Sequence, residues 1–148
     1  MFEYNDEFKK NVGDFILSFS QMEFTIGRLI TILENGVSYN KVDRENHSLE
    51  LNRKKKKLSK LLESNKILFD KWKKIETKIS DCNQFRRGIT HGVVMNFIST
   101  SPIKILVSHK KGFRYFNLTN ELVQENNKLL SDINTGGSWF RTIKTGYY

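Results

Sequence analysis

The stretch FKKNVGDFILSFSQMEFTIGRLITIL, running from Phe8 to Leu33, decides the fold. Its apolar residues Phe8, Val12, Phe15, Ile16, Phe19, Met22, Ile26, Leu29, Ile30 and Leu33 recur three or four apart, the spacing of one stripe along an α-helix. A strand would need alternation by two. A stripe this long has to be covered, so the remaining segments are expected to pack around it. Asn35-Gly36 ends the helix, Gly being the residue that most readily accepts the conformation past a helix C-terminus.

Downstream, Val37 to Glu50 is polar and aperiodic, and is expected to form a loop or lid. A second, basic helix is predicted from about Leu49 to Glu63, with Leu51, Leu58, Leu61 and Leu62 inward. A third starts near Ser64-Asn65 and carries the stripe Leu68, Trp72, Ile75, Ile79, Cys82 and Ile89, with Phe85 beside it. Then come β-prone runs at Val93–Ile98 and Ile103–Val107 and the turn residues Lys110-Lys111-Gly112, predicting a hairpin or a three-stranded meander that includes Phe113–Phe116. Asn117 or Thr119 caps a last helix with Leu122, Val123, Leu129, Leu130 and Ile133 inward. Trp139 and Phe140 are expected to dock the tail. The fold class is therefore mainly α: an antiparallel bundle of about four helices with a small β-hairpin before the last, in one domain spanning residues 1–148.

Composition narrows the function classes. No apolar segment of about 18 residues is expected to span a bilayer, and the acidic start leads into no signal-like run, so a cytoplasmic protein without a membrane partner is expected. Cys82 is the only cysteine, which excludes an intrachain disulfide and predicts core packing. The net charge of +9 favours polyanionic partners, although a Lys-rich surface is also an ordinary solvated face. The run Arg53, Lys54, Lys55, Lys56 and Lys57 is a candidate RNA-binding stripe, or else solvated surface, since successive lysines occupy all sides of a helix. Phe113, Tyr115 and Phe116 are expected to pack on the core rather than stack on bases. His47 and His109 have no ligand-type neighbours at metal spacing, and neither a metal nor a cofactor is expected.

The chemistry concentrates at the end of the third helix. Continuing its stripe past Cys82 lands on Arg86, a guanidinium where an apolar residue is called for, and such an Arg needs a partner. His91 closes the helix before Gly92; the bland alternative is a histidine stabilised by the helix dipole. The segment Arg86-Arg87-Gly88-Ile89-Thr90-His91-Gly92 resembles the signature of the HEPN superfamily, the higher eukaryote and prokaryote nucleotide-binding domains, in which Arg is followed after four to six residues by His near a helix end. The helical order resembles that of small bacterial members too. Arg87 departs from the pattern, where Asn, Asp or His is common.

The resemblance implies a metal-independent endoribonuclease that dimerises so that two motifs line one cleft, where the 2′-hydroxyl of RNA attacks the adjacent phosphate. A toxin–antitoxin or phage-defence setting is implied with it, and with that a cognate antitoxin or other regulatory protein as partner. The alternative is a non-catalytic member of the superfamily that binds nucleic acid, a nucleotide or another protein. Imidazole, with an ordinary pKa near 6.5, suits both proton transfers, and a forked guanidinium suits the charge gathering on the phosphorus oxygens. His91 and Arg86 are accordingly the candidate catalytic residues. On one helix they lie about 140° apart, which favours a site shared between two chains. Arg87 and His91 do share a face, so Arg87 either grips a flanking phosphate or fixes the His91 ring. Glu23, on the inward side of the first helix, is expected to hold Arg86 or Arg87, or to accept a bond from Thr90.

Overall fold

A computed structural model describes residues 6–35, 41–94, 103–109 and 112–134. Among the described residues, five helices and three strands follow in the order α1 (Asp6–Asn35), α2 (Lys41–Ser48), α3 (Leu51–Leu62), α4 (Lys66–His91), β1 (Val93–Val94), β2 (Ile103–His109), β3 (Gly112–Leu118) and α5 (Asn120–Asn134). The fold is mainly α, as the periodicity predicts.

The stripe on α1 is the centre of the molecule. Phe15, Phe19, Met22, Leu29 and Ile30 are completely buried, and α2, α3 and α5 pack along the same helix. From the other helices come Leu58, Leu62, Leu68, Trp72, Ile79, Cys82, Val123 and Leu130. Each such large apolar side chain contributes about 1.5–3 kcal/mol on leaving water. By length and composition α1 is also apolar enough to cross a membrane, contrary to the expectation that no segment is. Here its apolar side is the core.

Local signals set the helix starts. The Asn65 side chain accepts the Leu68 N–H at 3.1 Å and opens α4; Thr119, rather than Asn117, accepts the Leu122 N–H at 3.1 Å and opens α5. The strands form an antiparallel meander in the order β1-β2-β3, with Val94 opposite Ile105 and Ile105 opposite Phe116. Ile105 and Leu118 are buried and tie the sheet to the helices. Gly112, opposite His109, has φ +125°, a conformation that a side chain would strain.

Two further expectations change. The segment expected as a loop or lid contains α2, a helix with almost no apolar stripe. A polar network secures it instead: the buried Asn46 amide donates to Thr31 Oγ1 and Glu34 Oε1, both at 3.0 Å, and its oxygen accepts Lys57 Nζ at 2.7 Å. Phe113, expected in the core, is 69% exposed, since it lies beside the hairpin turn and beyond the helices that cover Ile105. The side chains of Tyr115 and Phe116, the expected continuation of the first strand past Val94, and the tail with Trp139 and Phe140 lie outside the described residues.

Candidate functional site

Helix α4 continues without a break to His91, so the motif sits on regular helix as its spacing requires. The chain then leaves as β1 within two residues. Gly92 makes that exit by space, not by an unusual conformation: its backbone is extended (φ −73°, ψ 156°) and its N–H donates to the Gly88 carbonyl at 2.8 Å. A methyl group there would collide with Ile105 and with that carbonyl. Gly92 thereby lets β2 press against the last turn of α4, fixing the turn that presents the motif.

Arg86 is half-buried. Its Nε and Nη2 both donate to Asn83 Oδ1, at 3.2 and 3.0 Å, and its guanidinium carbon lies 4.9 Å from the centre of the Phe19 ring. An amide one turn back and an aromatic face thus accommodate the charge on the apolar stripe. Phe15, one turn before Phe19, meets Phe85 edge-on at 4.9 Å and locks the same contact between α1 and α4. A guanidinium has five N–H donors, and Asn83 engages two. Among the described residues no carboxylate pairs with it. It is an immobilised cation with donors left for an anion.

Arg87, Thr90 and His91 are exposed. The Thr90 hydroxyl donates to the Arg86 carbonyl at 2.9 Å, a local bond within the helix. Arg87 and His91, four apart, share the outer face of the last turns. The structure therefore gathers Arg86, Arg87, Thr90 and His91 at one helix end, with Arg86 turned toward α1 and His91 toward solvent.

Glu23 does not join them. Among the described residues no hydrogen bond or ion pair links it to Arg86, Arg87 or Thr90. Four residues after Phe19, it stands about 40° further round α1, enough to turn from α4 toward α3. There its carbonyl accepts Lys54 Nζ at 3.2 Å. Burial pushes the Lys54 ammonium below its ordinary 10.5, and the Glu23 carboxylate works against that shift.

The basic run divides in the same way. Lys54 is buried, Lys55 donates to Ser80 Oγ at 3.0 Å, and Lys57 pairs with Glu34 at 3.1 Å. Only Arg53 and Lys56 of the five are exposed rather than buried or half-buried, so the run is not one open stripe. His47 stacks face to face on Phe24, with ring centres 4.3 Å apart, in a packing role. The His109 side chain lies outside the described residues.

Asn83 is the contributor that sequence reasoning missed. Its signal was present, since an amide three residues before a stripe-borne Arg is within reach of it on a helix. Among the described residues no three His, Cys, Asp or Glu side chains stand close enough to hold a metal ion. What the helix end offers is a fixed guanidinium, a second exposed one and an imidazole, a set able to bind an anion and exchange a proton. No family model, no curated protein and no solved structure matches the chain.

Proposed function

We propose that the chain is a metal-independent endoribonuclease of the HEPN type, acting as a homodimer in which two α4 ends build one cleft. The observation that carries this reading is the immobilised Arg86 guanidinium on the same helix end as an exposed His91. One imidazole takes the proton from the 2′-oxygen as that oxygen attacks the adjacent phosphorus. The bond from phosphorus to the 5′-oxygen breaks, and the imidazolium so formed returns its proton to the leaving oxygen. The products are a 2′,3′-cyclic phosphate and a free 5′-hydroxyl. Arg86 stabilises the charge on the non-bridging oxygens, with Arg87 on a flanking phosphate. A toxin or defence role, controlled by a neutralising partner, fits such a nuclease.

Purified protein incubated with mixed RNA in EDTA tests the proposal. Wild type is expected to cleave and leave cyclic phosphate ends, while Arg86→Ala and His91→Ala each lose at least about 100-fold in rate with helical content retained. Cleavage kept by both variants sinks the site assignment. A second reading, a nucleic-acid-binding module without catalysis, is favoured by one feature: Arg86 already spends two donors on Asn83 and lies against Phe19. RNA bound but never cleaved by wild type decides for it.

A further inference from the structure

Helices α3 and α4 run antiparallel, as the pairs Lys55–Ser80 and Ser59–Glu76 show, and a groove of about 450 Å³ lies between them. Lys55, Lys56 and Lys60 line it from α3 and Lys73 from α4, against two carboxylates, Glu63 and Glu76. Four cations against two anions leave a local excess of two positive charges. Glu76 is committed within the wall: Oε2 accepts the Ser59 hydroxyl at 2.9 Å and Oε1 pairs with Lys73 at 3.3 Å. Among the described residues, Lys55, Lys56 and Lys60 have no carboxylate at ion-pair distance.

The α4 wall of the groove shares a helix face with Arg87 and His91 of the candidate site. At 100° per residue, Lys73, Ser80, Arg87 and His91 fall within about 40° of one another on α4, and from Lys73 to His91 the helix rises about 27 Å. Lys56 and Lys60 on the opposite wall stand about 6 Å apart along α3, comparable to the step between successive phosphates of an extended strand. Trp72 is fully buried beneath, its indole N–H donating to Ser59 Oγ at 2.8 Å, so it offers no ring for a base to stack on.

We infer that the α3–α4 groove is a track for the phosphate backbone of single-stranded RNA, delivering the strand to the α4 end. The inference rests on the ribonuclease reading. It replaces the Arg53–Lys57 run with a surface that keeps Lys55 and Lys56, adds Lys60 and Lys73, and leaves out Arg53, the buried Lys54 and the Glu34-paired Lys57. Recognition is of phosphate, not base, and the cleft between two neighbouring helices is too narrow to seat a duplex.

The test is fluorescence anisotropy with a labelled single-stranded RNA of about 12 nucleotides, 2′-O-methylated so that it cannot be cleaved. Lys56→Glu/Lys60→Glu is compared with Lys9→Glu/Lys10→Glu, the same charge change on exposed turns of α1. The groove variant is expected to bind at least about tenfold more weakly, with a salt slope reduced by about 1.4, and the control less than about threefold more weakly. If the Glu pair unfolds, Lys56→Gln/Lys60→Gln serves, with a smaller loss in the same direction. Equal losses in groove and control variants, equally tight binding of the duplex, or tighter binding of a polyglutamate peptide overturns the track. Cleavage with groove-independent binding defeats the track alone; groove-dependent binding by a protein that never cleaves defeats the nuclease alone and leaves the track standing.

Discussion

A guanidinium on an apolar stripe costs free energy unless something accepts its hydrogen bonds, and in Arg86 a neutral amide does so. The neutrality matters, because a carboxylate in that place would cancel the charge that a phosphate needs. Asn83→Asp supplies that carboxylate with little change of shape. The variant is expected to gain about 1 kcal/mol in urea unfolding while losing at least about tenfold in RNA cleavage. Stability and activity that fall together would mean that Asn83 serves the fold alone. Cys82, one turn before Arg86, reports on the core beneath. Burial, and then Asp81, push its thiol up from 9.0 to about 11. The unfolded chain thus releases this proton at a lower pH than the folded one, so the thiol's contribution is complete below 9.0 and is lost as pH rises toward about 11. The stability advantage of wild type over Cys82→Ala, set on the order of 1 kcal/mol by the cavity, should shrink over that interval. An advantage independent of pH in denaturant melts would contradict the burial.

At the scale of elements, the helices differ in what holds them. α1 and α4 are held by apolar stripes, whereas α2 is held by a buried amide whose two hydrogens and oxygen all find partners, together with the stack of His47 on Phe24. Asn46→Ala removes three hydrogen bonds at once while leaving the Lys57–Glu34 pair, and is expected to cost about 2–3 kcal/mol in urea unfolding, with α2 the first segment to lose amide-exchange protection. A loss below about 0.5 kcal/mol would show that α2 is held by other contacts. The same contrast explains what the sequence could reveal. Hydrophobic period identified α1, α3, α4 and α5 and nearly every inward residue on them, because burial of a stripe repeats along the chain. It missed α2, whose anchoring residues Asn46, Thr31, Glu34 and Lys57 come from three separate segments. Glu23 failed for a related reason: which neighbour a half-buried side chain meets depends on a 40° difference in azimuth and on the placement of α3, neither of which is written in local pattern. Arg86 was legible because it interrupts a period; Asn83 follows none, and only its place three residues before Arg86 could have marked it.

For the molecule as a whole, the decisive matter is whether one chain can contain the site. Arg86 turns toward Phe19 on α1 while His91, about 140° away and about 7.5 Å further along the axis, is exposed, so the two side chains of one protomer diverge. The exposed apolar residues of α1, Leu17 and Phe24, stand roughly opposite Phe19 on that helix, and a seam through them would hold the two α4 ends apart. A shared cleft therefore requires contact near the α4 ends themselves, with Arg86 of one chain serving His91 of the other. That arrangement has a signature. Arg86→Ala and His91→Ala are each inactive alone, but a heterodimer of the two holds one complete pair, intact Arg86 from the His91→Ala chain and intact His91 from the Arg86→Ala chain. Random reassortment makes about half the dimers mixed, each with one of two sites restored, so the mixture should recover about a quarter of wild-type cleavage. Recovery should track subunit exchange and vanish if the chains are mixed under conditions that prevent it. A mixture as inactive as its components, with exchange demonstrated by differently tagged chains, would place Arg86 and His91 in the same half-site and reject the composite cleft.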